Sequence, residues 1–545
     1  MKKIRYLYLA KPLKLYGLLI LILAGMSLFY FLRKKPNESY SVKKREQENN
    51  YMFNEFDEPA HQRNIPFEGE KIVHFDLKGA PPKISYYLKL FPLLSKLGST
   101  GILMEYEDMF PYSGELNNIS ALNAYSLEDI RKINEMAKEN NLKVIPLIQT
   151  FGHMEFILKL SDYKNYREVP AYPQVICPTH ENTLKLITAM IEQVIAAHPG
   201  AEMIHIGADE VYYLGICSRC TDAMLKYNLS KNLLFLEHIN NIIDIINRRY
   251  PHIRILMWDD QIRSISLEDL KKEHFIDNIE PVVWRYTKDV YEELGPTLWN
   301  SYNKVFTKVW AASAFKGATG SNQFVSDVTH YLQNHRSWLS LIQEYKDHVN
   351  FQGIILTGWQ RYDHFAVLCE LLPVGIPTLA MSLRLLLGYS DSPLSPPTEV
   401  AKILQCEQPY ALIGSVFGSP HCSYPGGNIL EYVLHLQQLK QEFETILEDP
   451  RVHGWLDNYN IEHKFSNPNH VDSVTAPLSR IKSDLSQIDN GITTAMYEIY
   501  DNYTIEEWKE TYIKPFEKRI NAMWEAKKNI LSKDSWPRRP LRDEI

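Results

Sequence analysis

Two adjacent carboxylates, Asp209 and Glu210, end a short apolar segment in the stretch IHIGADEVYYLG, residues 204–215. Side-by-side acids repel each other, which raises the pKa of at least one of them and suits general acid and base catalysis. A structural interpretation competes with this one: Asp209 would cap the following helix and Glu210 would lie in its first turn, where acids are also favourable. The elements around the pair must decide between the two interpretations.

Short β-branched segments alternate with helical ones through the middle of the chain. Eight such segments begin at Ile72, Gly101, Lys143, Met203, Arg254, Pro281, Lys304 and Gly353. The segments between them, such as SLEDIRKINEMAKENN and LLFLEHINNIIDIINRRY, place apolar residues three and four apart, as amphipathic helices do. Eight strands with helical crossovers predict an α/β fold, a (β/α)8 TIM barrel over residues 66–389.

Polar or aromatic side chains follow each predicted strand, and in such barrels the active site is built where the strands end. They are Asp76 and Lys78, Glu105 and Glu107, Gln149 and His153, Asp209 and Glu210, Trp258 and Asp259, Trp284 and Tyr286, Trp310, and finally Trp359, Arg361 and Asp363. Taken singly, several of these fit core packing or a solvated loop. Collected on one rim, they predict a functional site.

The motif His205-x-Gly207-x-Asp209-Glu210, at the fourth strand of a barrel, resembles the signature of the family 20 β-N-acetylhexosaminidases. The segments FDLKGAPPK, EYEDMFPY, PLIQTFGHMEF, VWAASAFKGATG and GIILTGWQRYDH extend the resemblance, which is dense from Ile72 to Leu387. It implies an exo-acting enzyme that removes terminal β-linked N-acetylgalactosamine or N-acetylglucosamine with retention. In this family the acetamido oxygen of the substrate is the nucleophile, so the enzyme supplies none.

The resemblance also implies residue roles. Glu210 would be the general acid and then the base, while Asp209 would hold the acetamide N–H and offset the positive charge of the intermediate. An ionised Asp209 is expected to keep Glu210 protonated near neutral pH. The predicted substrate-binding side chains are Trp258, Trp284 and Trp359, which would enclose the acetamide and the sugar, and His153 and His205, which orient the acid pair or are structural.

Two positions depart from the family pattern. The arginine that grips the sugar 3- and 4-hydroxyls after the first strand is replaced by Asp76 and Lys78. The tyrosine that usually contacts the acetamide oxygen from the seventh strand is missing, and Tyr286 or Tyr213 would take its role. Asp363 completes the predicted substrate-binding set. These departures bear on sugar specificity more than on the reaction class.

The same barrel is also compatible with two other functions. A glycan-binding protein without turnover is disfavoured by the intact Asp209-Glu210 pair. A zinc hydrolase would use His74, Asp76, His153 and His205, but metal barrels usually carry His-x-His after the first strand. The Cys217-x-x-Cys220 pair lacks a second pair to complete a zinc site and would form a disulfide only in an oxidising compartment. No metal or cofactor is therefore expected.

The N-terminus predicts a membrane anchor. Residues 15–32 are uncharged and mostly apolar, follow a short basic tail at 1–14, and precede a charged stalk at 33–65. The acid-free basic tail favours a type II orientation with the barrel in the Golgi or secretory lumen. Arg33, Lys34 and Lys35 after the span favour the reverse, with the protein in the cytoplasm and nucleus as the alternative.

The remainder of the chain predicts helices. A Pro/Ser-rich break at 390–399 separates the barrel from a helical C-terminal subdomain at 400–545, to which no chemistry is assigned. The net charge of −7 and the pI near 6.2 disfavour nucleic acid as a partner. The expected partners are a glycan substrate and the membrane. The sequence does not predict an oligomeric state.

Overall fold

The computed structural model describes residues 66–272, 274–388, 395–407 and 421–541. Eight of its strands form a closed parallel barrel in the order β1-β2-β3-β6-β7-β8-β9-β10 and back to β1. The strands are β1 (Glu70–Asp76), β2 (Gly101–Glu105), β3 (Lys143–Leu147), β4 (Arg167–Val169), β5 (Tyr172–Ile176), β6 (Met203–His205), β7 (Arg254–Trp258), β8 (Ile279–Trp284), β9 (Val309–Lys316) and β10 (Phe351–Gly358). The predicted barrel is confirmed. The antiparallel hairpin β4–β5 lies outside it and was not predicted.

Helices cover the outside of the barrel and continue after it. Those up to residue 386 are α1 (Ile84–Leu97), α2 (Leu127–Glu139), α3 (Glu155–Leu158), α4 (Thr183–Ala197), α5 (Ser218–Tyr227), α6 (Lys231–Arg249), α7 (Leu267–Leu270), α8 (Pro296–Tyr302), α9 (Val328–Tyr345) and α10 (Leu372–Leu386). The others are α11 (Ser395–Leu404), α12 (Gly427–Leu447), α13 (Pro450–Trp455), α14 (Asn458–His463), α15 (Pro468–Val474), α16 (Leu478–Tyr497), α17 (Asn502–Tyr512) and α18 (Lys514–Leu531).

The barrel strands are apolar on both faces because one face fills the barrel and the other packs under helices. The interior layer contains Ile72, Leu103, Ile145, Leu147, Met203, Leu256, Trp258, Val282, Trp310, Ala312 and Ile355. Two further tryptophans, Trp284 and Trp359, lie on top of this layer and are only partly buried. The apolar interior thus forms the floor of the site at the upper end of the barrel.

The prediction that Trp310 belongs to the upper rim was wrong. Strand β9 begins at Val309 rather than Lys304, so Trp310 pairs with Gly353 near the start of its strand. Its indole Nε1 donates to Glu280 Oε2 at 2.7 Å, and both residues are buried. Helix α8 occupies the preceding segment, where the sequence had been read as the approach to a strand.

The contact between β3 and β6 is the shortest seam of the barrel, with Leu147 and His205 as its registered pair. Above that pair, side chains replace the strand ladder. Thr150 Oγ1 donates to the carbonyl of Ile206 at 2.7 Å, and the amide of Ala208 donates to Gln149 Oε1 at 3.2 Å. The chain that leaves β6 is therefore held by polar side chains from the end of β3.

The C-terminal helices pack against the outside of the barrel. Helix α11 begins at Ser395, inside the predicted break, because prolines are tolerated in the first turn of a helix. All fifteen residues of α10 are buried between strand β9, helix α9 and helix α12. The described residues fall in one compact unit, so the division into a barrel and a helical subdomain stays a prediction.

Among the described residues, no helix is both long and apolar enough to span a membrane. The predicted basic tail, anchor and stalk at 1–14, 15–32 and 33–65 lie outside the described residues.

Candidate active site

The loop that follows β6 carries the two acids in a strained backbone. Gly207, Ala208, Glu210 and Tyr213 all have left-handed φ angles, of 64°, 68°, 48° and 62°. Each such non-glycine residue costs roughly 1–3 kcal/mol, and such residues cluster at functional sites. The structure therefore does not support the interpretation of Asp209 and Glu210 as ordinary helix-capping residues, because helix α5 begins only at Ser218.

Two glycines allow the β6 loop to lie close to the end of β3. A Cβ on Gly207 would stand 1.9 Å from Gln149 Oε1, and a Cβ on Gly152 would stand 1.9 Å from the carbonyl oxygen of Asp209. No other residue type fits at these distances. The glycine of the sequence motif thus permits the approach that places Asp209 and Glu210 beside His153.

His153 is the side chain that joins the acid pair. Its Nε2 lies 3.1 Å from Glu210 Oε2 and 3.7 Å from Asp209 Oδ2. Burial disfavours the imidazolium, but the nearby carboxyl groups of Asp209 and Glu155 and the hydrogen bond with Glu210 raise the pKa of His153 well above its usual value. The raised pKa favours the imidazolium form of His153, and the predicted role in orienting the pair fits its position.

The proton distribution in the free site is the reverse of the expected one. The hydrogen bond from His153, opposed by burial, lowers the pKa of Glu210. Burial raises the pKa of Asp209 to about 7, with His153 opposing and Asp260 adding to the effect. Without substrate, Asp209 therefore holds a proton more readily than Glu210, because Asp209 is the more deeply buried of the two.

Asp260 is a site residue that the sequence analysis missed. Its Oδ2 accepts a hydrogen bond from the backbone amide of Glu210 at 2.9 Å, and its Oδ1 accepts from Trp284 Nε1 at 3.3 Å. The neighbouring Asp259, which was named in its place, points outward and binds Arg263 and Tyr302. The sequence held a signal for this residue. Side chains two apart in an extended segment point to the same face, so Asp260 is expected on the same face as Trp258.

Aromatic rings line the site above the barrel interior. The ring of Trp258 lies 4.3 Å from His205 and 6.0 Å from Trp359, while Trp284 stacks on Tyr286 at 5.3 Å. Tyr286 is also 6.4 Å from Trp359, which closes the series of contacts. Several buried polar atoms of this region have no hydrogen-bond partner among the described residues, and they include Asp209 Oδ1, Trp258 Nε1 and His205 Nε2.

A buried charge cluster surrounds Lys78 on the β1 side of the site. Lys78 Nζ lies 3.2 Å from Asp76, 3.4 Å from Glu105 and 3.4 Å from Glu107, and 5.2 Å from the ring centre of Trp359. Burial, only partly offset by Lys78, raises the pKa of Glu107 well above its usual value. The cluster thus places an ammonium group and three carboxyl groups beside an aromatic face.

Comparison with known proteins identifies the family. The model of the glycosyl hydrolase family 20 catalytic domain matches residues 84–308. A human protein named Hexosaminidase D is 38% identical over 485 residues, which cover 88% of this chain and 98% of the human protein. The chain belongs to glycoside hydrolase family 20. The family resemblance inferred from the motifs is confirmed, and so is the enzyme class. The segments that extend this resemblance also look like those of Hexosaminidase D, and the identities to the human and bovine proteins of that name bear this out.

Two further matches concern relatives of different kinds. A Hexosaminidase D from Bos taurus is 48% identical over 318 residues, covering 58% of this family 20 chain and 92% of the bovine protein. A solved β-N-acetylhexosaminidase from Bacteroides fragilis is 16% identical with a TM-score of 0.47, over 62% of this chain and 70% of that one.

Three of the predicted side chains take other places in this family 20 barrel. Tyr213 is 60% exposed and packs on Tyr172 at 5.6 Å, while its neighbour Tyr212 interacts with Glu210. Asp363 accepts the backbone amides of Phe365 and Ala366, as a turn-forming aspartate does. His205 is fully buried, and its Nδ1 accepts the amide of Gly207 at 3.0 Å, so it supports the loop rather than the acids directly.

The ligands named for the alternative zinc hydrolase do not come together around one point in the structure. His74 pairs with Glu105 at 2.9 Å and His153 with Glu210 at 3.1 Å. Within the described ranges, the one group of three or more potential ligands within reach of a single ion excludes His74, Asp76, His153 and His205. Cys217 and Cys220 are free thiols, and the disulfide that the structure contains joins Cys406 to Cys422.

Proposed function

We propose that this site removes a terminal β-linked N-acetylhexosamine from a glycan, as an exo-acting β-N-acetylhexosaminidase, with retention and substrate assistance. One observation carries the proposal. Asp209 and Glu210 meet at His153, and in the part of the chain that the structure describes the buried Oδ1 of Asp209 has no hydrogen-bond partner. An acetamide N–H would supply that partner, and the aromatic rings of the site would surround the acetamide methyl group.

Glu210 is the proposed acid and base. It is the more accessible of the two acids, with 32% of its side chain exposed against 8% for Asp209, as a group that must reach the glycosidic oxygen requires. It first protonates the departing oxygen and then removes a proton from the attacking water. The hydrogen bond from the backbone amide of Glu210 to Asp260 and the left-handed φ angle of Glu210 fix the direction of the Glu210 side chain.

The proton must move between the two acids when substrate binds. A carboxylate that accepts a hydrogen bond is favoured in its charged form, so the acetamide N–H lowers the pKa of Asp209. The proton of the pair then moves to Glu210, where the first step needs it. The ionised Asp209 offsets the positive charge that develops on the oxazolinium ring.

The aromatic side chains supply the rest of the acetamide pocket. Trp258, Trp284 and Trp359 exclude water from the amide, which would otherwise compete for its oxygen. Tyr286 is the proposed replacement for the missing tyrosine of the seventh strand, because it lies between Trp284 and Trp359. A sugar without the acetamide would leave this pocket unfilled.

The Lys78 cluster is the proposed site for the distal hydroxyls of the sugar. Asp76 and Lys78 stand where other members carry an arginine, and Lys78 lies against Trp359, one wall of the acetamide pocket. The ammonium group and the neighbouring carboxyls offer donors and acceptors to vicinal hydroxyls. The rings of Tyr172, Tyr212 and Tyr213 are exposed, and Tyr212 interacts with Glu210, so these rings are the proposed contacts of the departing glycan.

The test compares matched substrates. We expect release of p-nitrophenol from the β-N-acetylglucosaminide and β-N-acetylgalactosaminide, and almost none from the β-glucoside and β-galactoside. A thiazoline mimic of the intermediate should inhibit strongly, since enzymes bind such species tightly. A covalent adduct on Asp209 after treatment with a 2-deoxy-2-fluoro glycosyl fluoride would instead indicate an enzyme nucleophile. Binding of N-acetylated sugars without turnover would indicate a lectin.

We propose further that residues 15–32 anchor the protein in a membrane, with the barrel in the secretory lumen. The uncharged length of the segment and the acid-free basic tail support this. The Cys406–Cys422 disulfide also supports it, because disulfides persist in oxidising compartments. Protease treatment of intact microsomes should leave the barrel undigested until detergent is added. Digestion without detergent would place it in the cytoplasm.

A further inference from the structure

Three cysteines and one glutamate converge on a buried point next to the active-site loop. Cys177 Sγ lies 3.4 Å from Cys217 Sγ and 3.6 Å from Cys220 Sγ, and Cys220 Sγ lies 3.0 Å from Glu168 Oε2. All four ligand atoms lie within 4.8 Å of one another. Glu168, Cys177 and Cys220 are fully buried, and Cys217 is partly buried.

We propose that Glu168, Cys177, Cys217 and Cys220 bind one zinc ion in a structural site. Zinc prefers four ligands in a tetrahedron, with Zn–S bonds of about 2.3 Å, so the sulfur atoms of such a site lie about 3.8 Å apart. The separations from Cys177 to the other two sulfurs are close to that value. Thiolates with one carboxylate are a donor set that zinc accepts.

The surroundings prepare this site for a cation. Glu168 uses Oε1 to accept the amides of Ile216 and Cys217 at 2.7 and 3.0 Å, which leaves Oε2 directed at the sulfurs. The amide of Cys220 donates to Cys217 Sγ at 3.3 Å, a contact that stabilises a thiolate.

The ligands come from two segments, one hydrogen-bonded to the chain around His153 and the other continuous with the loop of the acid pair. Glu168 and Cys177 belong to the β4–β5 hairpin and its exit, and this hairpin is bonded to the chain around His153 through Phe151 and Met154. Cys217 and Cys220 end the loop that begins with Asp209 and Glu210. The metal would therefore tie the segment of His153 to the loop of the acid pair, and it acts on the reaction only through that positioning.

The metal content of the protein tests the proposal. The chain is produced without a polyhistidine tag, exchanged into metal-free buffer and measured by elemental mass spectrometry. We expect about one zinc per chain, as four-ligand structural sites hold. The variants Cys177→Ser and Cys220→Ser should lose it. The control Cys369→Ser should retain it, because Cys369 is also a free and buried thiol but lies outside the cluster.

Two further measurements cover variants that fail to fold. Cobalt added to the metal-free native chain should give thiolate-to-metal absorption. The variant Glu168→Gln should weaken zinc binding by more than about tenfold. The fold should be kept in this variant, because the amide oxygen of Gln can still accept hydrogen bonds from the two backbone amides. A wild-type chain that binds neither ion, or a disulfide between any two of the three cysteines in a non-reducing peptide map, would overturn the proposal. None of these readouts involves turnover, so the result is independent of the proposed function.

Discussion

At the scale of single residues, the proton that Asp209 and Glu210 share is the central feature. The lowered pKa of Glu210 and the pKa of Asp209 near 7 mean that the pair holds one proton over a window between them. Interacting acids titrate as a pair, and either placement of that one proton belongs to the same active form. The activity should therefore follow the protonation of the pair and not that of one residue.

Replacement of His153 should move this window. Below the lowered pKa of Glu210 both acids are protonated, and above about pH 7 both are ionised, so kcat/KM should be bell-shaped between these limits. The His153 cation favours both carboxylates, so His153→Gln should raise both pKa values and shift both limbs to higher pH. The profile of kcat/KM measures this. If both limbs of the pH profile stay where they are in the wild type, His153 has no electrostatic role. The control is His252→Gln, at an exposed histidine.

Replacement of Glu210 should remove the acid without changing the shape of the site. We expect Glu210→Gln to lower kcat by about 10² to 10⁴ on natural glycans, the usual contribution of general acid and base catalysis. The first step should suffer less on p-nitrophenyl substrates, whose leaving group needs little protonation. Steady-state kinetics on both substrate types measures the difference, with the exposed Glu139→Gln as control. An equal and small effect on both would remove Glu210 from the role of acid.

At the scale of elements, the β6 loop depends on its glycines. Gly207→Ala would place a Cβ 1.9 Å from Gln149 Oε1 at a φ of 64°, so Gln149 and the loop must move apart. A displacement of about 1 Å at a catalytic group can cost on the order of 10²-fold in rate. We expect that loss in kcat/KM together with lower thermal stability. Gly200→Ala is the matched control, because nothing lies within 4 Å of its added Cβ. Wild-type kinetics in Gly207→Ala would contradict the close approach.

The sequence predicted the elements better than their ends. The eight strands and the helices between them followed from periodicity, and the Asp209-Glu210 pair followed from its motif. Trp310 was misplaced because the β-branched run from Lys304 hid the helix end at Tyr302. Asp260 was missed because Asp259 was assigned to the inward face of the strand in its place. An error of one residue exchanges the inward and outward faces of a strand.

The cysteine cluster was missed for a different reason. Its ligands lie at 168, 177, 217 and 220, so only one spacing of the four, Cys-x-x-Cys, is local in the sequence. The remaining two ligands meet it because the β4–β5 hairpin lies beside the start of α5. A three-dimensional coincidence of this kind has no sequence period, and only the fold reveals it.

At the scale of the whole molecule, the barrel is covered by the C-terminal helices. Every residue of α10 is buried, which requires a neighbour on each side. Arg361, at the end of β10, donates to Glu507 of α17 at 2.7 and 2.9 Å and to the carbonyl of Lys78 at 2.9 Å. The helices thus support the segments that carry the proposed sugar-binding residues.

Truncation tests whether the barrel is stable alone. A chain that ends at Leu404 exposes the α12 side of α10 and leaves Arg361 without Glu507, so we expect aggregation instead of a folded barrel. A chain that ends at Ser532 removes residues 533–545, of which 533–540 are exposed, and should fold normally. Soluble yield and size-exclusion chromatography measure both. A soluble, monodisperse barrel from the shorter chain would show that the barrel is an independent domain.

The seam between β3 and β6 has a consequence for how this enzyme can diversify. Gln149 and Thr150 close the barrel there by hydrogen bonds to the same loop that holds the acid pair. Selection therefore acts on these two side chains twice, once for folding and once for turnover. In directed evolution toward a new sugar, we expect accepted changes to accumulate first at Trp284 and Tyr286, because neither residue takes part in the contact between β3 and β6. Changes at the seam should become acceptable only after stabilising substitutions elsewhere have raised the stability margin.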